Sequence, residues 1–143
     1  MAIIYQAEEI RPPSFPKRKT TAWIKQIASQ LKKKIGNISY VFCSDEYILQ
    51  INKQYLNHDY YTDIITFDYS ENNTISGDIF ISLDTVKSNA EQFNTNYDEE
   101  LRRVIIHGIL HLCGINDKSP KEQKVMTQEE NAALMAFNKM TEK

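Results

Sequence analysis

The stretch DEELRRVIIHGILHLCG, residues 98–114, sets the fold. Leu101, Val104, Ile105, Gly108 and Leu112 recur at helical spacing, so they line one apolar stripe that has to face a core. Gly114 follows where a helix is expected to stop in a left-handed cap. The helix also carries His107 and His111, four residues apart and therefore on one face. It needs a sheet or other helices to cover its stripe.

Those partners are legible on both sides. A short strand is expected around Ile3 to Tyr5, then the proline-rich loop RPPSFPKRKT. Trp23, Ile24, Ile27, Leu31 and Ile35 predict a first amphipathic helix, capped by Gly36 and ending on Lys32, Lys33 and Lys34, which suit its macrodipole. NISYVFCS predicts a strand, and Ser44 or Asp45 opens a short helix with Ile48, Ile51 and Tyr55. After the polar loop LNHDYYT come two strands, DIITFDY and GDIFIS, and then a helix from about Asp84 carrying Val86, Ala90 and Phe93. SPKE predicts the last helix, with Ser119 as N-cap, Pro120 at its first position and Glu122 closing a capping box. Val125, Met126, Ala133 and Phe137 are its apolar positions. The expected fold is α+β, a roughly four-stranded sheet packed with about five helices, in a single domain over residues 1–143.

Composition narrows the class. A chain of 143 residues can bury a core without disulfides or a structural metal, so any metal is expected to serve chemistry. Hydrophobic residues make up 41% and charged residues 25%, and no apolar run approaches the roughly 18 residues that span a bilayer. The start MAIIYQAEEIRPP lacks the basic and long apolar regions of a secretory signal, so a cytoplasmic location is expected. There Cys43 and Cys113 are expected as free thiols. The net charge of −2 gives no global attraction to nucleic acid, so an RNA substrate would have to be held by a local patch.

His107 and His111 can point at one ion, but two ligands make a poor site. By permitting a positive φ, Gly114 lets the chain reverse and bring Asp117 back toward them. The set His107, His111 and Asp117, two imidazoles and a carboxylate with a position left open, suits a catalytic divalent ion, zinc first. Cys113 lies about 200° around the helix from His111 and is rejected as a ligand. Asn116 is a fallback third ligand, weaker because it is a neutral amide. Zinc peptidases with H-E-x-x-H place a general base beside the first histidine, where this chain has Gly108. That glycine reads either as close packing on a strand or as clearance for substrate; in both cases the peptidase base is missing.

HGILHLCGIND, residues 107–117, resembles the YbeY-type endoribonuclease signature H-G-x-L-H-L-x-G-[YF]-D-H. Upstream, INKQYLNHDYYTDIITFDY and SGDIFIS are similar to two further segments of that family, in the same order, so the likeness covers roughly residues 49 to 117. The resemblance implies a bacterial metal-dependent endoribonuclease that matures ribosomal RNA, notably the 3′ end of the small-subunit RNA, and acts in ribosome quality control. Its partners would be precursor ribosomal RNA and the small subunit, with no membrane. Position by position, His107 and His111 match the first two metal ligands. Asp117 stands where the family has its third histidine, and Asn116 where it has an aspartate. A carboxylate ligand lowers the site's charge by one, so bound water is expected to be less acidic than in a three-histidine site, where its pKa approaches about 7. Tyr55, Asp59, Thr62 and Asp63 match the family pattern, with Tyr55 also readable as core and Asp78 as a residue holding the start of its strand. The family's arginine falls on Leu56; Lys118, or Arg102 and Arg103 on the metal helix, are the candidates to replace it.

The expected chemistry is an ion acting as Lewis acid on a phosphodiester and as source of hydroxide, with Lys118 or Arg103 offsetting phosphate charge and Thr62 and Asp63 touching substrate. Two alternatives stand beside it: a zinc metallopeptidase-like hydrolase, and a non-catalytic ribosome-assembly factor.

Overall fold

The structure is a computed structural model and describes residues 2–56 and 62–140. In chain order it has β1 (Ile3–Glu8), α1 (Lys17–Gln30), β2 (Lys34–Cys43), α2 (Asp45–Leu56), β3 (Ile64–Asp68), β4 (Thr74–Ser82), α3 (Leu83–Gln92), α4 (Tyr97–Leu112) and α5 (Pro120–Lys139). The strands form one sheet in the order β1-β2-β4-β3. β1, β2 and β4 run parallel, and β3 pairs antiparallel with β4.

Alternation along β4 decides which layer lies where. Ile75, Ile79 and Ile81 point into the main core with Trp23, Tyr40, Phe42, Ile105 and Phe137, while Phe80 points the other way, toward Ile48 and Ile51 of α2. Helix α4 is buried on nearly every side, as expected of a helix enclosed by a sheet and other helices. Two buried hydrogen bonds pin this layer: the Tyr40 hydroxyl donates to the Ile105 carbonyl at 2.8 Å, and the Trp23 indole N–H donates to the Ala133 carbonyl at 2.8 Å. The first bond grips α4 two residues before His107.

Three helices stop the same way. After α4, Gly114 takes φ 101; its N–H bonds the His111 carbonyl, and the Ile115 N–H bonds the Leu110 carbonyl, which is the Schellman arrangement. Lys32 at φ 62 ends α1 and Asn94 at φ 56 ends α3 with equivalent bonds. This corrects the first helix, expected to run to Gly36. Lys32 accepts a left-handed conformation that costs a non-glycine residue roughly 1–2 kcal/mol, and Lys34, Ile35 and Gly36 start β2 instead. Gly36 sits at the register shift between Ile35 and Ile38, where a Cβ would lie 2.2 Å from Ser76 Oγ, so it serves close strand approach.

Smaller differences follow from the caps. Helix α3 begins at Leu83 because Ser82 Oγ accepts from the Thr85 N–H, and Phe93 ends it as an exposed residue. The capping box of Ser119 and Glu122 forms as expected, while Val125 is exposed. Tyr55 is not core: it is exposed and meets Phe67 edge-on. Asp78 lies in mid-strand, where its carboxylate accepts from the Tyr69 hydroxyl.

Candidate active site

The last turns of α4, the loop after it and the start of β3 close on one cavity of about 390 Å³ lined by Thr62, Asp63, Ile64, Thr66, His107, His111 and Asp117. Thus five side chains singled out in the sequence share one opening. Lys118 and Arg103 do not line it. Asp59 lies outside the described residues.

The turn at Gly114 returns Asp117 to the helix, and Asp117 Oδ2 lies 3.3 Å from His107 Nε2. The other ring nitrogen, His107 Nδ1, is 2.6 Å from Glu130 Oε2. His107 therefore stands between two carboxylates and can donate from both nitrogens. Burial pulls the imidazole toward neutrality, but the Glu130 hydrogen bond and charge, then Asp117 and Asp63, outweigh it and raise its pKa above 6.5. On the Asp63 carboxyl burial acts in the other direction and raises the pKa, partly offset by His107.

Glu130 is the residue the sequence reading missed. It sits on α5 with Met126, Ala133, Leu134 and Phe137, at helical spacing along the buried stripe, and is itself buried. A carboxylate inside an apolar stripe is the signal that could have found it. Its second oxygen takes Arg103 Nη1 at 2.9 Å, and Arg103 Nη2 reaches Asn131 Oδ1 at 2.8 Å. Arg103 is thus committed to supporting Glu130. Arg102 stacks over the Phe137 ring at 4.7 Å.

Gly108 resolves to close packing. A Cβ there would meet Ile79 Cδ1 at 3.0 Å and Ile64 Cδ1 at 3.3 Å, so the glycine lets α4 settle onto β3 and β4. Cys113, set aside as a ligand on helical geometry, does not line the cavity; burial raises its thiol to about 11 despite Lys33 nearby. Cys43 is raised to about 12, by burial first and then by acidic neighbours. Both are free.

Among the described residues no group of three or more His, Cys, Asp and Glu is gathered as it stands to hold an ion. The donor set nevertheless fits one. Two donors on a tetrahedral zinc, each about 2.0–2.1 Å from it, lie about 3.3–3.4 Å apart, which is the spacing of His107 Nε2 and Asp117 Oδ2. A carboxylate on the remote nitrogen of a histidine is the usual outer partner of a metal ligand. His111 lines the same opening one turn on.

The sequence pattern of the endoribonuclease YbeY family matches residues 5–138. This chain belongs to that family. Relatives named endoribonuclease YbeY include one from Bacteroides fragilis, 66% identical over 134 residues covering 94% of this chain and 96% of the relative. Another, from Parabacteroides distasonis, is 64% identical and covers 94% of each. In fold, the chain is similar to the solution structure of TM1509 from Thermotoga maritima, with a TM-score of 0.67 and 24% identity over 95% of this chain and 89% of that one. The structure bears out the expected α+β class.

Proposed function

We propose that this endoribonuclease matures ribosomal RNA, cutting precursor at the 3′ end of the small-subunit RNA, with one divalent ion, zinc, held by His107, His111 and Asp117. The observation that carries the ligand set is the shared cavity, in which His107 Nε2 and Asp117 lie at the spacing of co-ligands while Glu130 holds His107 from behind. When bound, the ion supplies Lewis acidity to a phosphodiester and lowers the pKa of water at neutral pH.

The chain's own residues supply the rest. Glu130 fixes the imidazole of His107 so that Nε2 faces the opening. Asp63 and Thr62 form the opposite wall, where they meet the substrate; Thr62 is turned by its bond to the Ile64 carbonyl. Asp63, whose carboxyl is raised by burial and pulled back by His107, faces the same opening as the histidines, where a substrate would enter. Lys118 follows Asp117 and is exposed, which suits contact with RNA phosphate just outside the cavity. The absence of a carboxylate at Gly108 and its packing role weigh against the peptidase alternative. Family membership and an open cavity weigh against a purely structural assembly factor. A substrate in the ribosomal small subunit would call for a cytoplasmic location; separately, among the described residues no helix is long and apolar enough to cross a membrane.

The test is metal analysis of wild type beside Asp117→Ala, each assayed on precursor small-subunit RNA. Wild type is expected to hold about one ion per chain and to cleave; the variant loses both. Full metal and activity in Asp117→Ala would remove the third ligand.

A further inference from the structure

Neither the proline-rich stretch RPPSFPKRKT nor Arg102 lines the cavity at the end of α4. They meet elsewhere. Ser14, Phe15, Pro16 and Thr20, from the loop and α1, close with Asp98 and Arg102 of α4 on a separate cavity of about 60 Å³. One water needs roughly 10–15 Å³, so the space suits a compact group of about five heavy atoms better than a single solvent molecule.

The start of α1 runs against the usual charge rule. Pro16 at the N-cap offers no side-chain acceptor, and Lys17, Arg18 and Lys19 fill a first turn that holds no acidic residue. Their backbone N–H groups have no acceptor within the helix, since its first bond runs from the Thr20 N–H to the Pro16 carbonyl. Three cations therefore add to the positive end of the macrodipole, where a helix favours negative charge. The sequence has no acidic residue from Arg11 to Ser44 to offset them.

Two polar groups in the lining point independently to a ligand. Thr20 is only 1% exposed, and among the described residues its hydroxyl has no hydrogen-bond partner. Arg102 Nε is buried and likewise unpartnered, while its guanidinium carbon lies 4.7 Å from the Phe137 ring centre that Lys19 Nζ approaches to 4.2 Å. Buried donors left unpaired are costly, so both call for an acceptor inside the cavity. Among the described residues none of Lys17, Arg18, Lys19 and Arg102 forms a salt bridge. Against these four charges the lining sets one carboxylate, Asp98. An ionised carboxylate only accepts, so an anion seated beside it needs an O–H of its own to donate.

We propose that this cavity is a binding site for inorganic phosphate, which accepts from Arg102 Nε and the Thr20 hydroxyl, sits in the field of the α1 N-terminus, and donates its O–H to Asp98. At neutral pH hydrogen phosphate carries that O–H, whereas sulfate and the phosphodiesters of RNA have none. The site is thus separate from the one that cuts RNA, and its Asp98 wall turns the RNA backbone away. Bound phosphate ties the proline-rich loop and α1 to the first turns of α4.

The experiment is isothermal titration calorimetry of the metal-loaded full chain with sodium phosphate, sodium sulfate and adenosine 5′-monophosphate, at neutral pH and matched ionic strength. Wild type is compared with Thr20→Val, Arg102→Gln and Asp98→Asn. Wild type is expected to bind one phosphate per chain, with sulfate and the nucleotide weaker by about tenfold or more, the worth of one charge-assisted hydrogen bond. Thr20→Val and Arg102→Gln should each lower phosphate affinity by about the same factor, with metal content unchanged. In Asp98→Asn the preference for phosphate over sulfate should largely disappear. Phosphate held instead by an ion in the other cavity would bind Thr20→Val as tightly as wild type, and that result overturns the proposal. Sulfate or the nucleotide binding wild type as tightly as phosphate overturns it too, and so does a wild type that takes up no phosphate, which leaves the cavity to solvent. Should Arg102→Gln fail to fold, Thr20→Val, which nearly keeps the shape of the side chain, decides alone.

Discussion

Two carboxylate clusters in this molecule differ in what surrounds them. Asp45, at the start of α2, accepts from Ser82 Oγ at 2.5 Å and Thr85 Oγ1 at 2.6 Å, while its own N–H donates to Asp84 Oδ2 at 2.9 Å. Ser82 Oγ in turn caps α3. Every group in that circuit has a partner inside it, and the result ties together the starts of two helices. At the end of α4 the arrangement is one-sided. Glu130 and Arg103 satisfy the inner nitrogen of His107, whereas Asp63, Asp117 and His111 turn toward an opening. A closed polar circuit stabilises; a set supported from behind and open in front can bind and react.

The most severe way to break this contrast is to remove an open-side group. His111→Ala is expected to lower metal affinity by at least a hundredfold and abolish RNA cleavage while leaving the metal-free protein folded. Metal content after gel filtration, read beside circular dichroism, checks it. Unaltered metal affinity would move the centre away from α4.

Next in size is the support. Outer-shell partners of metal-binding histidines are worth roughly 10–100-fold in affinity, so Glu130→Gln should weaken metal binding by about that factor in a chelator competition. Wild-type affinity in the variant would make Glu130 merely a packing carboxylate. The same residue predicts a pH signature in metal-free protein. Because the folded pKa of His107 is raised, its contribution to stability is fully present below the unfolded value of about 6.5 and is lost as pH rises through the folded value. The decline of the thermal midpoint above about pH 6.5 should flatten in Glu130→Gln. Metal loading should show the opposite trend, improving as pH rises and the proton leaves Nε2.

Breaking the closed circuit should do something different in kind. Asp45→Ala strands two hydroxyl donors, and loss of such bonds costs about 1–3 kcal/mol. Urea unfolding should shift accordingly, with metal affinity unchanged. A change in metal affinity would mean that the two clusters are coupled through β4.

The difference between the clusters also explains what could be read in advance. Helix α4, its two histidines and the returning aspartate were legible because each rests on local rules, namely spacing along one helix and a glycine that reverses the chain. The capping box of α5 was legible for the same reason. Glu130 was not found, since its partner lies 23 positions earlier in the chain and only tertiary packing joins them. Arg103 was read as a free cation because nothing local shows that Glu130 and Asn131 claim it. The end of α1 was misplaced by a preference for glycine at helix ends that Lys32 overrides. Gly108 could be settled only by Ile64 and Ile79, which belong to strands far back in the sequence.

Glu100 gives the smallest and sharpest test, because it is a buried carboxylate that belongs to neither cluster. Burial raises its pKa, Arg103 pulls it down, and the negative charges of Asp63, Glu130 and Glu99 add to the rise. A carboxyl with a raised folded pKa favours the fold when protonated. Its contribution is fully present below about 4.5 and is lost as pH rises through the folded value. At pH 7 the wild type carries that loss, and Glu100→Gln never ionises. The variant should therefore melt higher at pH 7, by on the order of 1–3 °C, with the difference shrinking as pH falls below about 4.5. The gain stays small because the first turn of α4 also favours a negative charge. A lower midpoint at pH 7 would mean that the Glu100 charge is needed, by Arg103 and through it by Glu130, and the support behind His107 would then extend one helical turn further than the hydrogen bonds alone suggest.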